Sequence, residues 1–222
     1  MVDDPVVAVR GEVIREVPPE IARFSVTVAA RDKERQATLA RLAARSEAVR
    51  ALIDGYGAAI ERRETGGLQV RPELKRAGER VAAYQGSVTT TVTVSDFTVL
   101  GELMLRLADQ DQTGVAGPWW ELRPDSPVHG EARRAAIGEA LTRAREYADA
   151  LGARVTGLLE LADTGLANQP MMRTVAYGAT GAEWGGAAVP ELQLDPQVQT
   201  VQTAVEARFA ISEPTAVTRP AG

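Results

Sequence analysis

The chain has 222 residues and no cysteine, which excludes disulfides, thiolate metal sites and thiol nucleophiles. Its 30 acidic and 25 basic residues leave a net charge of −5, which argues against a broad nucleic-acid-binding face. With 45% hydrophobic and 25% charged residues, the composition is that of a globular protein that can bury a core without a metal or disulfide.

The length points to a single domain, residues 5–212, followed by a flexible tail over 213–222. Met1 to Pro5 shows neither a basic nor an apolar leader pattern, and no run approaches the roughly 18 apolar residues of a membrane span. A soluble, cytoplasmic product is therefore expected, although a chain trimmed of a signal peptide would read the same.

Val7, Val9, Gly11 and Val13 alternate with Arg10 and Glu12, the period-two pattern of a half-buried strand over Val6–Val17. Pro18-Pro19 ends it, and Ala22, Phe24, Val26 and Val28 then alternate with Arg23, Ser25 and Thr27 as a second strand. The short connection predicts an antiparallel hairpin between the two. Asp32 is the expected N-cap of a helix ending near Gly55 or Gly57, with an apolar stripe of Leu39, Leu42, Ser46, Val49, Ile53 and Tyr56.

Leu68–Leu74 and Val81–Val94 read as a further strand pair, the second carrying a threonine-rich wet face. Ser95 or Asp96 caps a short helix through Phe97, Leu100, Met104 and Leu107, and Val115–Arg123 is a strand containing Trp119-Trp120. Ser126-Pro127 opens a long helix to Leu151, with Gly152 as its stop. Val155–Leu161 is a strand, residues 163–197 form a long loop rich in Gly, Ala and Pro, and a last strand runs from Val201 to Ile211. The predicted fold is α+β, with a mainly antiparallel sheet, helices on one face and the order ββαββαβαβ, long loop, β.

The candidate chemistry is sparse. His129, the one histidine, falls in the first turn of the third long helix between capping residues rather than between the partners of a catalytic relay. Asp109 to Gly114 begins like a calcium loop, but Trp120 stands where the closing carboxylate belongs, so a polar helix terminus is the better reading. Gly178, Gly181, Gly185 and Gly186 lack the flanking strand and helix of a phosphate cradle. Glu12/Glu16, Asp3/Asp4 and the Arg133-Arg134 and Arg143/Arg145 pairs read as solvated surface charge. No catalytic residue, metal or cofactor is expected.

Trp119-Trp120 is more informative, because adjacent strand residues point to opposite faces: one indole can enter the core while the other faces outward. Outward aromatics are enriched at interfaces, and Met171, Met172 and Trp184 in the long loop are of the same kind. These five residues are the candidate interface.

Several segments, taken in order over about Val6 to Ser212, resemble the SIMPL-domain family. They are Val9-Arg10-Gly11-Glu12-Val13, Pro19 to Val26, Tyr84 to Thr89 with Val92 to Asp96, Leu100 to Leu103, and the helix Glu131 to Ala136 continuing through Ala144-Arg145 to Gly152. The resemblance implies no enzyme class and no catalytic residues. It also implies a fold of this order, frequent export, ring-like or channel-like homo-oligomers in some members, and in some a link to oxidative-stress tolerance. The chain departs from the family in lacking a visible leader and in carrying Trp119-Trp120. Two functions follow as expectations. The first is a non-enzymatic, homo-oligomeric assembly module, with a place in stress or envelope-related defence. The alternative is a small-ligand or enzyme domain with the 163–197 loop as a lid.

Overall fold

A computed structural model describes residues 5–75, 80–163 and 192–216. In chain order these form β1 (Val6–Val17), β2 (Ile21–Asp32), α1 (Arg35–Asp54), β3 (Ile60–Leu74), β4 (Val81–Val94), α2 (Leu100–Ala108), β5 (Thr113–Glu121), α3 (Pro127–Ala150), β6 (Val155–Asp163) and β7 (Gln199–Ile211). The α+β class and the element order agree with the sequence reading. The strands form two antiparallel sheets, ordered β1-β7-β6 and β3-β4-β2-β5, and the chain clusters into two compact units built around them.

In the four-stranded unit, β2 is interior, with β4 on one edge and β5 on the other. Its even-numbered residues Ala22, Phe24, Val26, Val28 and Ala30 are all buried. They meet Val92 and Val94 of β4, Leu42, Val49 and Ile53 of α1, and Leu100, Leu103 and Leu107 of α2. Both helices thus lie on one face of this sheet, because only the even face is apolar. The opposite face carries the threonines, where the Thr27 and Thr89 hydroxyls hydrogen-bond at 3.0 Å across the β2–β4 pair.

The expected β1–β2 hairpin does not form. Both edges of β2 are occupied by β4 and β5, and β1 instead lies beside β7, where the Ile211 N–H donates to the Pro5 carbonyl at 2.8 Å. Pro18 and Pro19 fix φ and carry no N–H, so the link that looked like a tight turn runs as a spacer between two sheets. The Asp32 assignment also changes. The helix N-cap is Glu34, whereas Asp32 Oδ1 accepts from the Glu34 N–H at 3.0 Å, making an Asx turn at the end of β2. The third strand begins at Ile60 rather than Leu68, and a register shift between Thr65 and Leu68 sits at Gly66-Gly67.

In the three-stranded unit, α3 begins as predicted. Ser126 Oγ accepts from the Val128 N–H at 3.3 Å, and Pro127 occupies the first turn. At the other end Gly152 has φ +68°, its N–H donates to Asp149 O at 2.9 Å, and the Ala153 N–H donates to Ala148 O at 2.8 Å. That is the Schellman arrangement that glycine allows. Ala132, Ala136, Ala140, Ala144 and Ala148, four residues apart, form a fully buried stripe. It packs on Val7, Val9, Val205, Ala207, Phe209 and Ile211. Small side chains let the helix axis come close, and the closest approach is at Gly11. A Cβ there would lie 2.0 Å from Ala136 O and 2.6 Å from Ala140 N.

Neither backbone can give way at that contact, so Gly11→Ala is expected to destabilise the protein by about 1–3 kcal/mol or more. Gly138 on the open face of α3 has nothing within 4 Å of its missing Cβ. Gly138→Ala should therefore stabilise by up to about 1 kcal/mol through helix propensity. Urea denaturation of both variants checks the pair; equal shifts would contradict the close-packed reading of Gly11.

Candidate functional site

The tandem tryptophans divide as the alternation of a strand requires. Trp120 pairs with Ala22 on the core face of β2, packs against the hydrophobic core, and meets Phe97 edge-to-face with ring centroids 4.9 Å apart. Trp119 pairs with Arg23 on the other face and remains 48% exposed. The register reaches this arrangement through an irregularity between Arg23 and Ser25. There Gly117 adopts φ +121°, with its missing Cβ 3.0 Å from the Phe24 Cα. A side chain at Gly117 would be strained and would strike the backbone of β2. Met171, Met172, Trp184 and the four loop glycines lie outside the described residues.

A second apolar surface is one that sequence reading missed. β6 stands at the end of the β1-β7-β6 sheet, and Leu158, Leu159 and Leu161 on it are 57%, 58% and 44% exposed. Leu158 pairs with Phe209 and Leu161 with Ala207, residues of the helix-facing side of β7. A groove of about 340 Å³ opens there between α3 and β6, lined by Ile137, Leu141, Val155, Leu158, Leu161 and Phe209. The signal was the Leu158-Leu159 pair, which places a large apolar group on each face of one strand. Sequence alone does not say that this strand lies at an edge.

The titratable groups belong to turns and ion pairs. His129 sits in the first turn of α3, its N–H donating to Ser126 O at 3.2 Å. Asp111, in the calcium-like segment, is bonded to Arg45, and Thr113 Oγ1 donates to Asp111 O at 3.2 Å, closing a turn between α2 and β5. Among the described residues, no group of three or more His, Asp or Glu is placed to hold a metal ion. Tyr56 OH donates to Glu102 Oε1 at 3.1 Å and accepts from Arg106 Nη1 at 3.2 Å, which ties the end of α1 to α2. Partial burial raises the Tyr56 pKa, so the phenol remains protonated at neutral pH.

Three carboxyls are held below their ordinary range: Asp32 by the Glu34 backbone N–H, Glu73 by the Arg31 guanidinium and Asp96 by the Thr98 hydroxyl. Each stabilises the fold while ionised. Their contribution is complete above the unfolded carboxyl pKa of about 4 and is lost as pH falls through the lowered folded values. The urea midpoint is thus expected to owe no decline to these groups from pH 7 to about 5 and to fall below that. Asp96→Asn should flatten the acid limb, and an unchanged limb in that variant would remove Asp96 from the account.

The family model described as "SIMPL: Protein of unknown function (DUF541)" matches residues 7–209, a span that runs from the start of β1 into the last residues of β7 and takes in all the elements between them. The chain is also 29% identical over 188 residues to the 26 kDa periplasmic immunogenic proteins of Brucella melitensis and Brucella abortus, covering 78% of this chain and 71% of each relative. Those relatives carry a periplasmic name and lend no support to the cytoplasmic placement expected from the N-terminal residues. Among the described residues, no helix is long and apolar enough to cross a membrane. With the fold order, the capped α3 and the matched span in agreement, the chain belongs to the SIMPL family.

Proposed function

We propose that this protein acts without catalysing a reaction, as a homo-oligomeric assembly module of the cell envelope. The observation that carries the reading is β6: an edge strand with three exposed leucines beside an apolar groove. Among the described residues no strand lies on its outer side, so its outward N–H and C=O groups are available for pairing. A second copy whose own β6 adds antiparallel across a two-fold axis would continue the sheet and cover Leu158 and Leu161 in the same step. Contact through identical surfaces fits a patch that is apolar rather than charged at its centre.

The exposed Trp119 lies in the other compact unit and serves as a second contact, since a rigid amphipathic ring is a common anchor of interfaces. Two such surfaces on one chain allow growth beyond a dimer into a closed ring. The periplasmic naming of the Brucella relatives supports an envelope location, and a role in envelope-related defence is part of the same reading. One SIMPL-like domain over residues 5–212 is part of this reading, since the matched span runs through both units.

Light scattering coupled to size exclusion tests the reading. The expected mass is a discrete multiple of 23.7 kDa, and Leu158→Lys should lower it. Burying one leucine contributes about 1.5–3 kcal/mol and the two-fold contact buries one from each copy, so the variant's dissociation constant should rise by about 100-fold or more. Trp119→Ser should reduce a higher oligomer to the species held by β6 alone. A monomer at every concentration would remove the proposal.

A further inference from the structure

A different cavity lies in the four-stranded unit, where β3 extends past the cover of α1. One wall is the side of α1 formed by Leu39, Ala43, Ser46 and Arg50, spaced 4-3-4 along the helix. The other is the helix-facing side of β3, formed by Leu68, Thr65 and Arg63, with Val88 and Thr90 of β4 as the floor. The space measures about 310 Å³, at the small end of the range for ligand pockets.

The two walls are graded in the same direction. Near Gly86, where α1 approaches the sheet through Thr38 and Leu42, the facing groups are Leu39 and Leu68. Midway stand Ser46 and Thr65. At the far end Arg63 reaches the C-terminal part of α1, with its guanidinium on Asp54 and 3.4 Å from the Arg50 carbonyl. Arg50 is 55% exposed there, and its described partner is Glu47 at 3.7 Å, beyond hydrogen-bonding distance. The Ser46 hydroxyl at that midpoint is itself buried and makes no hydrogen bond.

We propose that this groove binds a free medium-chain fatty acid, its tail along Leu39, Leu42, Val49 and Leu68 and its carboxylate at Arg50. A methylene chain has no polar groups to satisfy, whereas an extended peptide would bring a row of N–H and C=O groups that two threonines and one serine cannot pair. The volume suits one acyl chain rather than the two of a phospholipid. The exposed guanidinium of Arg50, held only by a long ion pair with Glu47, supplies the charge-assisted bond that distinguishes an acid from a neutral amphiphile.

Calorimetric titration of the full chain with decanoic acid, below the concentration at which it aggregates, tests this site. Saturable one-to-one binding is expected. Arg50→Glu should weaken decanoic acid by about tenfold or more while changing decyl alcohol by less than about threefold. Ala43→Phe, which fills the groove, should abolish binding of both. The Leu158→Lys protein should bind decanoic acid as the parent does, so the fate of the assembly proposal does not decide this one. Absence of saturable binding overturns the proposal, as does an Arg50→Glu protein that binds the acid unchanged. Because Arg50 is on the surface, that variant folds even if Ala43→Phe does not.

Discussion

Strand β2 is the constraint from which most of the architecture follows. Five alternate side chains, from Ala22 to Ala30, are buried against α1 and α2, and both of its backbone edges are hydrogen-bonded, to β4 and to β5. A strand in that position has no edge left for its neighbour in sequence. β1 must therefore find its partners elsewhere, and it does so beside β7 under the alanine face of α3. The same occupancy places β5 at the edge of the four-stranded sheet, so the tandem tryptophans contribute one ring to the core and leave the other at the surface.

The two units solve the helix-on-sheet problem with different side chains. In the four-stranded unit, large residues fill the space between layers: Phe24, Ile53, Leu100, Leu103 and Leu107 are among its fully buried side chains. In the three-stranded unit, the stripe Ala132 to Ala148 and the bare Cα of Gly11 bring the helix close to the strand, and the backbones themselves form the contact. Large side chains tolerate repacking, whereas a helix seated on backbone atoms does not. Gly11 thus has a structural reason for its identity.

Two of the candidate surfaces arise where a strand extends beyond its covering helix. β6 lies past α3 and shows leucines, and β3 lies past α1 and shows a wall graded from leucine to arginine. The first is mainly apolar and adjoins a strand edge, which suits a protein copy. The second is polar at one end and flanked by rigid elements, which suits a small amphiphile. Neither depends on a constellation of titratable groups: the shifted carboxyls Asp32, Glu73 and Asp96 are all explained by turns and ion pairs.

From the sequence alone came the elements themselves, because their signals are local. Alternation marked the strands, Ser126-Pro127 and Gly152 bounded α3, and the adjacent tryptophans announced their opposite faces. The family was legible too, since it rests on the order of such segments along the chain. Local signals misled at Pro18-Pro19 and Asp32, where a short link looked like a hairpin and an acidic residue like a cap. They were silent about Gly66-Gly67 within β3 and about the exposed face of β6. Which strand pairs with which, and which apolar face a helix leaves uncovered, was decided only by the tertiary structure. The physical reason is that backbone hydrogen bonds between strands have the same chemistry whatever the partner, so pairing is selected by the fit of whole faces distant in sequence.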